Sequence, residues 1–170
     1  MQGTIYSNNN GKVVKIKAFK ATTAVSVEVQ NSFGFVDKKE SASLTAARSK
    51  ADNSADCHGA TFANSEVWID NDQIEKLVIS EGYTETSTPQ GGDIGLYAEG
   101  KKFQLKNVQH SVLVNDATDG VVKDVRSKGG ISRRAILPAG PGEGTAWDSK
   151  NNRNDTKNTQ LKYFTLRVQK

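Results

Sequence analysis

Between Asp93 and Ser127 the chain runs through three apolar-rich segments, "DIGLYAEG", "FQLKNVQHSVLVND" and "GVVKDVRS", parted by Gly or Asp-Gly turns as strands are. Successive strand side chains point to opposite faces of a sheet, so apolar residues at alternate positions mark a strand with one face turned to a core. In the middle segment His110, Val112 and Val114 share one face. Near the end "QLKYFTLRV" alternates again through Phe164, Leu166 and Val168. Close to the start, "KVVKIKAF" (Lys12 to Phe19) and "AVSVEVQ" (Ala24 to Gln30) read as two half-buried antiparallel strands.

Helical signals lie between these strand groups. In "DNDQIEKLVISEGY" the residues Ile74, Leu77 and Val78 follow helical spacing, with an acidic start at Asp70 to Asp72 and a stop at Gly82. Upstream, Ser54 is placed to cap a helix whose first turn holds Ala55, Asp56 and Cys57. A helix followed by an antiparallel sheet predicts an α+β fold with the helix packed on one sheet face. The 170 residues suit a single domain spanning residues 1–170. Residues 1–50 form an N-terminal β-hairpin and polar extension, and the Gly- and Asn-rich residues 138–160 read as one long surface loop.

Cys57 is the chain's single cysteine, so an internal disulfide is excluded and a free thiol remains to be explained. A thiolate is the nucleophile in thiol chemistry, and the first turn of a helix favours it. The thiol also needs a base. His58 is a poor candidate, because neighbours on a helix point in different directions. His110 is the better one, provided that its strand face meets the helix. One cysteine and two histidines without paired ligand spacing argue against zinc, and nothing calls for another cofactor. Trp68 and Trp147 read as core or loop anchors, with Trp147 also placed to line a groove.

The net charge is +4, but the basic residues are interleaved with acids, which disfavours nucleic acid as a partner. No apolar run is long enough to span a bilayer, and the first residues lack the apolar core of a Sec signal.

These residues resemble the NlpC-type cell-wall peptidases of the papain-like cysteine peptidase superfamily. "DCHG" at Asp56 to Gly59 looks like their Asp-Cys-Ser-Gly signature, with His58 in place of the serine. "GGDIGLYAEG" is similar to their Pro-Gly-Asp-Leu strand, and "HSVLVND" to their His-Val-Gly-Ile-Tyr strand. The resemblance covers Ser54 to about Lys128 and implies a papain-like fold, Cys57 as nucleophile and His110 as general base. It further implies a polar residue on the next strand to orient the imidazole. Asp124 is the closest match there and Ser127 the second. The Cys57 N–H would form half of an oxyanion hole.

The implied activity is a cysteine hydrolase, peptidase or amidase, that cuts an amide bond in the peptide stem of peptidoglycan. With no Sec signal, such an enzyme is expected to reach the target periplasm or cell wall by a signal-independent route, as an exported antibacterial effector, a phage component or part of a larger toxin. An immunity or carrier protein would be its natural partner. Two other classes remain open: a papain-like toxin that deamidates or cleaves a target-cell protein, and a non-enzymatic binding module with a buried cysteine.

Overall fold

The apolar-rich segments are strands. In the computed structural model, which describes residues 2–9, 12–19, 56–63, 68–128, 134–141, 145–147 and 158–167, β1 (Gln2–Asn9) and β2 (Lys12–Phe19) form an antiparallel hairpin. Helices α1 (Cys57–Phe62) and α2 (Ile74–Glu81) follow, and then six strands: β3 (Thr84–Thr86), β4 (Ile94–Glu99), β5 (Val108–Thr118), β6 (Val121–Lys128), β7 (Arg134–Leu137) and β8 (Thr159–Thr165). Short 3-10 turns at Asn71–Gln73 and Leu105–Asn107 lead into α2 and β5. The six strands make one sheet in the order β3-β8-β4-β5-β6-β7, and every neighbouring pair is antiparallel. The α+β fold with an antiparallel sheet is therefore present.

Each face of the sheet carries its own apolar layer. On one face Ile94, Leu96 and Ala98 of β4, with Val108 and Phe164, pack against Ile69 and against Ile74, Leu77 and Val78 of α2. Ile16 of β2 is fully buried in the same layer, which joins the hairpin to the sheet. The Lys17 N–H also donates to Gln73 Oε1 at 3.0 Å. On the other face Tyr97, Val112, Val125, Ala135 and Leu137 pack with Ala146 and Trp147. The first part of strand β5 is consequently covered on both sides.

Local chemistry sets the helix limits. Gly82 ends α2 in the left-handed conformation (φ 81°), its N–H bonding back into the last turn, as the sequence predicts. The cap of α1 is Asp56 rather than Ser54, which lies outside the described residues. The Asp56 carboxylate accepts the N–H of Gly59 at 2.8 Å and also that of Ile69 at 3.1 Å. Cys57 becomes the first helical residue.

Other expectations are corrected in detail. The partner of β2 is β1, which the sequence did not signal, and the strand expected at Ala24 to Gln30 lies outside the described residues. The short strands β3 and β7 were also unsignalled: β3 has three residues and β7 four, too few for a period to show. Within the expected surface loop, Ala146 and Trp147 are buried, and the Ala146 N–H donates to Pro138 O at 2.9 Å.

Asp93, just before β4, ties the start of that strand to the end of β8. Its carboxylate accepts from Thr165 Oγ1 at 2.6 Å and from Arg167 at 2.6 Å, while its Oδ2 also takes the N–H of Gln90 at 2.8 Å. Burial opposes the charged form, but the bonds from Arg167, Thr165 and Gln90 outweigh it and hold the Asp93 carboxyl below its usual range.

Truncation in the helix-side layer should be costly. Leu96→Ala, at a fully buried site, should destabilise the fold by about 2–5 kcal/mol through lost burial and the cavity left behind. Ile79→Ala, on the exposed side of α2, should change stability by less than about 0.5 kcal/mol. Urea titrations of the two variants measure the difference.

Candidate functional site

Of the residues singled out by sequence, His110 near the start of β5 and Ser127 near the end of β6 come together, while Asp124 and Cys57 do not join them. His110 is the third residue of β5, and a bulge in the β4–β5 ladder falls beside it, between Tyr97 and Ala98. Its Nε2 lies 3.0 Å from Ser127 Oγ on β6, and both side chains are buried. Two aromatic rings enclose the imidazole: Trp147 stacks on it with centroids 5.3 Å apart, and Tyr97 lies at 5.4 Å. The Trp147 indole N–H is itself fixed by Thr159 Oγ1 at 3.0 Å, and the Tyr97 hydroxyl donates to the Ala139 carbonyl. Among the described residues Nδ1 of His110 makes no hydrogen bond.

Of the two candidates on β6, Ser127 and not Asp124 lies within hydrogen-bond distance of His110. Val114 pairs with Val125, so Val125 and Ser127 alternate onto the face of His110, while Asp124 and Arg126 turn the other way. Asp124 Oδ1 accepts from Asn115 Nδ2 at 2.8 Å, and Asn115 Oδ1 accepts from Arg126 Nε at 3.0 Å. Asp124 thus belongs to a polar cluster on the opposite side of the sheet from the imidazole.

Alternation also corrects the expected meeting of His110 with the helix. Tyr97 pairs with His110, and Leu96 pairs with Ser111. His110 therefore joins the layer of Tyr97 and Trp147, whereas Ser111 joins the layer of Leu96 and the helices. Helix α1 rests on β5 and β6 from that second side. Its contact to β5 runs through His58, whose Nδ1 lies 2.8 Å from Ser111 Oγ. Cys57 is half-buried at the start of α1, and among the described residues no hydrogen bond joins its thiol to either histidine.

His58, a poor base candidate by sequence, is a packing residue between α1 and the sheet. It is 1% exposed, and both ring nitrogens are bonded, Nδ1 to Ser111 and Nε2 to Asn71 Oδ1 at 2.7 Å. Because Asn71 Nδ2 donates to Gln109 Oε1 at 3.1 Å, the Asn71 oxygen faces the ring. The bonding pattern then assigns the proton to Nε2 and leaves Nδ1 to accept from the Ser111 hydroxyl. Burial lowers the His58 pKa below 6.5, against the opposing pull of the Asn71 bond and the charges of Asp56 and Asp70. Burial likewise raises the pKa of Asp56 despite its backbone hydrogen bonds and the nearby His58.

Tyr97 and Ser111 were readable in principle, since both follow from strand parity once the register is known. Trp147 carried no such signal, because a loop residue's contacts depend on where the whole loop returns. Among the described residues no group of three His, Cys, Asp or Glu side chains is arranged to hold a metal ion, and no helix is long and apolar enough to cross a membrane. Compared with models of known families, with curated proteins and with solved structures, the chain matches none.

The depressed His58 pKa makes stability depend on pH. The unfolded chain takes up the proton first as pH falls, so this contribution is complete above about pH 6.5 and is lost below it, down through the folded-state pKa. Between about pH 7 and pH 5 the urea midpoint should fall in the wild type and fall less in His58→Gln. Parallel slopes in the two chains would show that another group carries the dependence.

Proposed function

We propose that the chain is a papain-like cysteine hydrolase acting on amide bonds, with Cys57 as nucleophile, His110 as general base and acid, and Ser127 orienting His110. The observation that carries this reading is the buried His110–Ser127 pair at 3.0 Å, on the two strands against which the cysteine helix lies. A hydrogen bond at Nε2 fixes the ring and leaves Nδ1 for the thiol. In the reaction the Cys57 proton passes to Nδ1 as sulfur attacks the amide carbonyl. The imidazolium returns that proton to the leaving amine as the carbon–nitrogen bond breaks, which leaves a thioester on Cys57. Water then attacks the thioester, giving up a proton through His110, and the carboxylic acid departs as the thiol is regenerated.

Because α1 and the imidazole occupy opposite sheet faces, the reading requires the thiol to reach Nδ1 past the start of β5, where the ladder bulges and a side chain is most easily re-aimed. On the resemblance of "DCHG" and "HSVLVND" to NlpC-type peptidases, the substrate we assign is the peptide stem of peptidoglycan.

The separation of faces favours a second reading, a binding module. There His110, Tyr97 and Trp147 form a core stack, and Cys57 is a half-buried packing residue with no reactivity to explain.

Hydrolysis of peptidoglycan fragments, followed by mass spectrometry, separates the two. Cys57→Ala should stay folded and lose all turnover; His110→Ala should lower kcat by about a hundred- to ten-thousandfold. Ser127→Ala should cost roughly tenfold to a hundredfold, whereas Asp124→Asn should leave activity near wild type because Asp124 faces away. Turnover that survives Cys57→Ala would end the hydrolase reading, and a larger loss at Asp124 than at Ser127 would reject the orienting role of Ser127.

The substrate class has its own test in growth curves. Expression in a bacterial cytoplasm should be tolerated, while the same chain carrying a secretion signal should lyse the cells, and that lysis should vanish in Cys57→Ala. Cytoplasmic toxicity that depends on Cys57 would instead mark a protein target inside the cell.

A further inference from the structure

We propose that His58 is a positioning residue that fixes where Cys57 stands relative to His110; the proposal rests on the hydrolase reading above. His58 follows Cys57 directly, and adjacent helical residues are about 100° apart around the axis. Anchoring the imidazole of His58 therefore fixes the direction in which the thiol leaves the helix.

The anchor is the strand segment that carries His110. Through Nδ1 the ring holds Ser111, and through Nε2 and Asn71 it holds Gln109, so one side chain engages both sequence neighbours of His110. His110 and Ser111 are held in the ladder to β4 by Tyr97 and Leu96, while Gln109 is the residue left out of that ladder at the bulge, so its tie to Asn71 is what holds it on the helix side. Burial strengthens the tie. Ser111 is fully buried and His58 nearly so, which means that neither can exchange its partner for water at no cost. An apolar residue of similar size at position 58 would fill the space and still leave Ser111 and Asn71 without their bonds.

The charged groups nearest the ring are Asp56 and Asp70, and the Asp56 carboxylate is already bonded to the N–H groups of Gly59 and Ile69. The cap and the clamp thus sit on either side of Cys57 in sequence. Asp56 fixes where the helix begins, and His58 fixes how it is turned.

Three variants of the full chain test the role: His58→Met, which removes both bonds, His58→Asn, whose amide oxygen can still accept from Ser111, and Ser111→Ala, which unties the ring but leaves it in place. Each is assayed on peptidoglycan stem-peptide fragments, with kcat normalised to the titrated thiol so that misfolded protein does not count. His58→Met and Ser111→Ala should lower normalised kcat by about tenfold to a hundredfold while KM stays within about twofold. His58→Asn should recover a large part of the loss. Unchanged normalised kcat in folded His58→Met, or no recovery in His58→Asn, overturns the positioning role. If His58→Met does not fold, Ser111→Ala decides in the same way. A wild-type chain that hydrolyses nothing overturns the hydrolase reading, and the positioning role with it; a hydrolytic wild type whose variants keep kcat overturns the positioning role alone.

Discussion

The first part of strand β5, from Val108 to Val114, is packed on both faces, and that constraint organises the residues around it. In such a strand a step of one residue moves a side chain from one packed layer to the other. His110 goes to the layer of Tyr97 and Trp147, and Ser111 goes to the layer of the helices. Each polar group is then obliged to find a partner within its own layer, because water is excluded from both. Ser127 meets that need for His110, and His58 meets it for Ser111. His58 is thereby bonded to the residue next to His110 in sequence, while the two imidazoles remain on opposite sides of the sheet.

The helix side of the sheet is held by a second set of polar ties. Asp56 binds the start of α1 and the backbone of Ile69, and Asn71 links His58 to Gln109. These bonds turn a six-residue helix, too short to be stable alone, into a fixed part of the layer. A half-buried cysteine at its first position inherits that rigidity. Whether the thiol acts in catalysis or in packing, its place is set by residues that sequence inspection would pass over as polar filler.

Much of this architecture was legible in the sequence, and the limits have physical causes. Apolar runs set off by turns marked β2, β4, β5 and β6, and helical spacing with a glycine stop marked α2; of the residues read as alternating near the end, Phe164 lies in β8, Leu166 follows it and is exposed, and Val168 lies outside the described residues. The signals that held come from long runs, where several apolar residues fall together. The strands β3 and β7 gave none, being three and four residues long. At the candidate site, residue types pointed to Cys57, His110, Asp124 and Ser127, and parity within β6 could have preferred Ser127 over Asp124. What the sequence did not contain was which face of β5 the helix would cover. That choice depends on the summed packing of α2, Ile69 and Ile16 against Leu96 and its neighbours, a long-range matter that no local motif encodes.

The strand order has a consequence for the history of the chain during synthesis. β8, made of residues 159–165, lies between β3 and β4, so β3 has no sheet neighbour until some seventy residues after it have been made. Until then β4 presents an open edge of unpaired backbone groups, and Asp93 waits without Thr165 and Arg167. The middle strands can form hairpins as they emerge, but closure of the sheet belongs to the last segment. A sheet of this topology is therefore kept incomplete while its middle strands are being made, and it acquires its full set of ladders only once β8 has been added.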